Sequence, residues 1–274
     1  MTGRVAGKVA FITGAARGQG RAHALRLAEE GADIIAIDIE EQVEGVPYAT
    51  ATAADLQETV RQVEALDRRI IAETADVRDL ARLEEVVAKG VAELGRLDIV
   101  AGNAGIDIVG PWQTMTPEIV RTTIDINLIG VWNSVMASLP HILAGGRGGS
   151  IVLTSSANGL KAGPFNMAYN MAKYGVTGMA KSFAMELAKD NIRVNSVHPG
   201  GVDTPMAQGI LNVPDSGFTQ GQKENPNLFG MLSQWIPGSM PPREISNAVL
   251  FLASDESTWV TGHALAVDGG MTQY

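Results

Sequence analysis

The chain has 274 residues, 45% hydrophobic and 19% charged, with a formal net charge of −9. That composition suits a chain with a sizeable core and argues against nucleic acid or an anionic membrane as partner, since both require a basic face. With no cysteine, and with His23, His141, His198 and His263 scattered without ligand spacing, disulfides, thiolate catalysis and a metal centre are not expected.

The opening MTGRVAGKVAFITG holds only a short apolar run, too short for a signal peptide or a membrane span, so a cytoplasmic location is expected. KVAFIT (Lys8 to Thr13) reads as a buried strand, because a parallel strand covered on both faces shows no alternation. GRAHALRLAEEG follows as a helix with Ala24, Leu25 and Ala28 on one face, stopped by Gly31. DIIAID, RRIIAETADV, RLDIVAGNAG, GSIVLTSS, IRVNSVHPGG and GHALAVDGG give six more strands, with helical patterns between them such as Leu80–Leu94 and Ala168–Ala188. Strand alternating with helix implies an α/β fold: one doubly wound domain over residues 1–274, with a mostly parallel seven-stranded sheet and helices on both faces.

Two stretches break this rhythm. Residues 40–54 (EEQVEGVPYATATAA) make a long connection after the second strand. Residues 205–242 are rich in Gly, Pro, Asn and Gln but carry Phe218, Phe229, Met231, Trp235 and Ile236, which suits a lid over an apolar ligand.

TGAARGQG follows the first strand and opens the first helix, with Gly14, Gly18 and Gly20 spaced G-x-x-x-G-x-G. Glycine permits the tight turn and close approach of backbone to a pyrophosphate, and the helix N-terminus favours the anion. Asp38 ends the second strand, where its carboxylate can accept from an adenosine ribose diol. A 2′-phosphate there would meet like charge, so Asp38 favours NAD over NADP; Arg17 pulls the other way but sits farther from the 2′ position.

YNMAK places Tyr169 and Lys173 four residues apart, on one helix face. A nearby cation favours phenolate over phenol, and three units of acidification require about 4 kcal/mol, which two desolvated cations, the lysine and a nicotinamide, can supply. Tyr169 then exchanges a proton with a substrate oxygen as hydride moves, and Ser156, at the end of the fifth strand, can hold the same oxygen. Phe165, Met167, Met206 and Trp235 are candidate pocket walls.

With these motifs the chain resembles the short-chain dehydrogenase/reductase family, from about Gly7 to Gly270, and the resemblance implies a Rossmann fold. The family's T-G-x-x-x-G-x-G loop is TGAARGQG, its N-N-A-G motif is GNAG with Gly102 replacing the first Asn, and its P-G-x-x-x-T segment lies in HPGGVDT. The resemblance implies that Gly14, Arg17, Gly18, Gln19, Gly20, Asp38 and Ile39 bind the cofactor. It adds Asp76 and Val77 at the adenine, Asn103, Ala104 and Gly105 along the cleft, and Pro199, Gly200, Val202 and Thr204 at the nicotinamide. It implies a catalytic set of Asn127, Ser156, Tyr169 and Lys173, with Ser156 rather than Ser155 in the serine role, Lys173 also holding the nicotinamide ribose and Asn127 holding a water in a proton relay. The family is commonly tetrameric, so a homotetramer is expected.

The opening segment and the extra stretch from Glu40 to Ala54 are similar to the mycofactocin-coupled, carveol dehydrogenase-like subfamily. That resemblance implies NAD held too tightly to exchange and reoxidised through the carrier mycofactocin. The leading expectation is an NAD-dependent oxidoreductase of an apolar secondary alcohol or ketone, alicyclic or terpenoid in character. Asp38 and the acidic balance weigh against a 3-oxoacyl thioester reductase, and the complete Ser156, Tyr169 and Lys173 set weighs against a non-catalytic NAD-binding sensor.

Overall fold

The computed structural model describes residues 3–212, 217–230 and 233–273. Its strands are β1 (Val9–Thr13), β2 (Asp33–Asp38), β3 (Ile70–Thr74), β4 (Ile99–Gly102), β5 (Gly149–Thr154), β6 (Ile192–Pro199) and β7 (Ala264–Val267). They form one sheet in the order β3-β2-β1-β4-β5-β6-β7, and every pairing is parallel. The order reverses between β1 and β4, and that crevice, at the C-terminal ends of the strands, is where open α/β sheets bind ligands.

The helices are α1 (Gly18–Glu29), α2 (Ala53–Glu64), α3 (Leu80–Leu94), α4 (Pro117–Ile124), α5 (Gly130–Gly145), α6 (Met167–Leu187), α7 (Pro205–Asn212), α8 (Gly217–Glu224), α9 (Pro226–Phe229) and α10 (Pro242–Ala253). Sequence chemistry sets their ends. Thr52 caps α2 by accepting from the Asp55 amide while the Asp55 carboxylate reaches back, and Gly95 ends α3 in the left-handed conformation. All five β1 residues are buried because the strand is covered twice. Phe11, Ile35, Val100 and Ile151 pack toward α3, α5 and α6, whereas Ala10, Ile12, Ile34 and Ala101 pack toward α1, α2 and α10.

Between α4 and α5 the chain makes one π-helical turn, Asp125–Ile129, so that residues 117–145 run as a single long helical stretch. By length and composition this stretch could cross a membrane. Here it is a layer helix: Val131 and Val135 are buried in the core where α5 lies beside α3, and α4 and the π turn lie against α6. The expected lid is built largely of the short helices α7, α8 and α9 rather than an unstructured loop. Met231, and the side chains of Phe218 and Phe229, lie outside the described residues.

Candidate active site

The loop after β1 is shaped by close backbone approach. Gly14 adopts φ +69°, and a Cβ there would stand 2.9 Å from Ala104 Cα. At Gly20 a Cβ would stand 1.9 Å from the Gly14 carbonyl oxygen, so only glycine lets α1 begin so close to the strand. Asn103 locks the other wall: its amide N–H and that of Ala104 each donate to Thr13 Oγ1 at 3.0 Å, and its Nδ2 donates to the Thr13 carbonyl at 3.0 Å. This ties β1 to β4 although Gly102 supplies no side chain. Gln19 Oε1 is buried in the cleft with no hydrogen-bond partner, and a ligand rich in donors would satisfy it. Asp38 accepts from the Ala16 and Ile39 amides, each at 2.8 Å, which aims its carboxylate into the cleft with lone pairs to spare. Burial nevertheless raises its pKa, against those two bonds and Arg17.

The connection from β2 to α2 folds over this cleft. Val43, Tyr48, Thr50 and Ala51 line it together with Gly14, Arg17, Asp38 and Asp76. The Gln42 side-chain amide donates to the carbonyls of Val46 and Tyr48, both at 3.1 Å, curling the segment, and Arg17 donates to the Ala49 carbonyl. Tyr48 spans the opening. Its hydroxyl oxygen accepts from the Asp107 amide at 2.9 Å, and its Cβ packs where Gly209 of α7 has no side chain.

A second cavity, of about 290 Å³, opens where β5 and β6 end. Ser156, Tyr169 and Lys173 all line it, with Asp107, Thr154, Pro199 and Val202. It shares Gln19, Asn103, Gly105, Thr204 and Met206 with the first, so cleft and cavity form one continuous channel. Lys173 is 3% exposed, donates to the Thr154 carbonyl at 2.9 Å, and holds Nζ 5.3 Å from the centre of the Tyr169 ring. Asn127, in the π turn, accepts from the Ile106 amide at 2.8 Å and donates to its carbonyl at 2.7 Å, pinning the backbone beside Lys173. Ser155 points away: its hydroxyl donates to the Lys173 carbonyl at 2.8 Å, which separates its packing role from that of Ser156. The His198 ring is hydrogen-bonded to the Ser156 carbonyl and to Ser196, and burial lowers its pKa to about 4, so it stays neutral.

In the protein by itself the lysine does not make the phenol acidic. Burial pushes the Tyr169 pKa up, the Asp107 charge pushes it further, and the hydrogen bond with Ser156 opposes only in part. Burial also lowers Lys173, to about 8, against the attraction of Asp107. A dry pocket disfavours both charged forms, so an acidic Tyr169 requires positive charge beyond what the protein supplies.

Placement of the expected residues is otherwise close. Gly14, Arg17, Gly18, Gln19, Gly20, Asp38, Ile39, Asp76, Val77, Asn103, Ala104, Gly105 and Thr204 line the cleft, and Pro199, Gly200 and Val202 line the cavity beside Tyr169. Three pocket walls are misplaced. Phe165 and Met167 line a neighbouring cavity with Trp112 and Leu228, because Phe165 takes φ +58° and carries the chain away before α6 begins. Trp235 is 64% exposed and lies over Gly270, held there by its backbone N–H, which donates a hydrogen bond to the Gly269 carbonyl at 2.8 Å. Sequence reasoning missed Tyr48, Asp107, Asn166 and Ile210. A carboxylate two residues after an N-A-G turn, in an otherwise apolar run, is the signal that could have found Asp107.

A family model described as enoyl-(acyl carrier protein) reductase matches residues 14–272. The chain belongs to the short-chain dehydrogenase/reductase family and is an NAD-dependent oxidoreductase. It is 46% identical over 273 residues to (−)-trans-carveol dehydrogenase of Rhodococcus erythropolis, covering 98% of this chain and 99% of that one. Among solved structures it is similar to a short-chain dehydrogenase from Mycobacterium paratuberculosis bound to NAD, with 52% identity, 99% and 100% coverage and a TM-score of 0.96. It is likewise similar to carveol dehydrogenase from Mycobacterium avium in complex with NAD, with 48% identity, complete coverage of both chains and a TM-score of 0.90.

Proposed function

We propose that the protein interconverts an apolar cyclic secondary alcohol and its ketone, with Tyr169 as acid/base. The observation that carries this reading is the meeting of Ser156, Tyr169 and Lys173 in a cavity continuous with the nucleotide cleft. NAD, held by the Gly14–Gly20 loop, Asp38 and Thr204, supplies the hydride acceptor. In the oxidative direction Ser156 donates a hydrogen bond to the carbinol oxygen, Tyr169 as phenolate removes its proton, and the carbinol carbon loses hydride. In reduction Tyr169 returns the proton to the carbonyl oxygen. Lys173 and the nicotinamide cation together favour the phenolate against burial. Asn127 keeps Ile106 and Asp107 fixed beside the lysine, and the proton leaves along the relay that begins at Lys173. Val109, Val202, Met206, Ile210 and Leu211 give the cavity walls an apolar character that fits a terpenoid-like ring.

The segment folded over the adenosine end supports NAD that is retained through turnover and reoxidised by an external carrier such as mycofactocin. Exposed Trp132, Met171, Tyr174 and Met185 on α5 and α6 support assembly through these helices, which fits a homotetramer. Asp38 and the net charge of −9 weigh against an acyl carrier protein substrate.

The test is to desalt the protein, measure bound NAD(H), and screen cyclic alcohols with an artificial electron acceptor, alongside Tyr169→Phe. The reading predicts co-purifying nucleotide, turnover of trans-carveol or a related ring alcohol, and loss of that turnover in the variant. An active Tyr169→Phe variant refutes the acid/base role. Cofactor-free protein that works freely on added NAD refutes the retained-cofactor part alone.

A further inference from the structure

Asp107 is 8% exposed, lines the catalytic cavity, and has its Oδ1 buried with no hydrogen-bond partner. A carboxyl in a dry pocket without a partner opposes folding, so a structural purpose is hard to assign to it. The structural contacts here belong to its backbone. The Asp107 amide donates to Tyr48, and the preceding residue is clamped on both sides of its peptide by Asn127. The main chain is thereby fixed and the side chain delivered to the cavity. Three titratable groups interact with this carboxyl: Lys173 and Tyr169 on α6, and Tyr48 from the covering segment. His198 on β6 stands beyond Lys173 and stays neutral. Among the lining residues of the cavity, Asp107 is the one acid and Lys173 the one base.

We propose that Asp107 is a positioning residue whose carboxylate is the counter-charge keeping Lys173 an ammonium ion, and that it thereby sets the pH range in which Tyr169 and Lys173 act together. The inference rests on the roles proposed above for those two residues. Burial raises the Asp107 carboxyl to about 7 and lowers Lys173 to about 8, each opposed by the other's charge. The same anion holds the Tyr169 phenol up. The charge in the pocket therefore changes near neutral pH, where one proton added to Asp107 leaves Lys173 without its partner.

The experiment compares wild type, Asp107→Asn and Asp107→Glu as NAD-loaded enzyme, measuring kcat/KM for oxidation of trans-carveol and cyclohexanol against pH. The active form has Tyr169 ionised and Lys173 protonated. Removing the anion lowers the pKa of both groups, so in Asp107→Asn both limbs of the profile move to lower pH by about one unit. Asp107→Glu keeps both limbs near their wild-type positions. Limbs that stay in place in Asp107→Asn, whatever happens to kcat, overturn the proposal.

A second measurement needs no turnover. Stabilities of wild type, Asp107→Asn, Lys173→Met and the double variant are measured by urea unfolding at pH 8. Coupling predicts that Asp107→Asn stabilises the Lys173→Met background more than it stabilises wild type, because the carboxylate there has lost its counter-charge. Additive effects overturn the proposal. If Tyr169→Phe proves active, the proposed function fails while this stability cycle still decides whether the two charges are coupled.

Discussion

Tyr48→Phe isolates the closure of the covering segment. The change removes one oxygen and leaves the ring packed against Gly209. The Asp107 amide then loses the acceptor it reaches at 2.9 Å, in a buried setting where water does not readily replace it. An unsatisfied buried donor costs about 1–3 kcal/mol, which is roughly a 5- to 150-fold shift toward the open segment. Curling by Gln42 and the Arg17 contact with the Ala49 carbonyl remain, so the segment is loosened and not unfolded. The assay is release of bound NAD from desalted protein into excess NAD-trapping enzyme, followed by nucleotide fluorescence. Release should accelerate by about tenfold or more while catalysis with saturating NAD changes little. A release rate equal to that of wild type, in a variant with an unchanged melting temperature, would refute the idea that Tyr48 holds the cofactor in.

Tyr169→Phe should retain NAD yet lose turnover by roughly 10²–10⁴-fold, read as kcat at saturating alcohol. Asp38→Asn should lower the ratio of NAD to NADP affinity by about tenfold or more, since a charged acceptor facing the ribose contributes about 1.5–3 kcal/mol; equal ratios by titration would deny that contact. Gly20→Ala should abolish nucleotide binding and destabilise the fold by about 1–3 kcal/mol, because its methyl group would meet a backbone oxygen with no freedom to move. His23 is fully buried, its ring hydrogen-bonded to Ser246, and burial lowers its pKa to about 4 from 6.5. The unfolded chain binds that proton first, so stability is complete above pH 6.5 and falls as pH drops toward 4, by about 3 kcal/mol from this group. Urea unfolding at pH 7 and pH 4.5 should show the loss, and His23→Gln should remove that portion of it.

Elements whose meaning is local were legible in the chain. The glycines of the first turn, Asp38 at a strand end, and Tyr169 one helical turn before Lys173 each state their placement within a few residues, and the apolar strands state that they are covered twice. The pocket walls behaved differently. Phe165 and Met167 lie close to Tyr169 in sequence, yet a left-handed residue at Phe165 accompanies their turn into another cavity. Trp235 looked like a wall by its apolar surface, but pairing of its backbone with Gly269 holds it over Gly270.

Local spacing alone was enough to determine the parallel sheet, the tight glycine turn after β1 and the shared helix face of Tyr169 and Lys173, because each follows from backbone periodicity or from what one turn permits. Tertiary structure decided what surrounds them. Tyr48 reaches a backbone 59 residues away, and Asp107 and Lys173 come to line one cavity only through the arrangement of β4, β5 and the π turn. The ionisation of Tyr169 was decided there too, since desolvation depends on everything packed around a group and cannot be read from its neighbours in the chain.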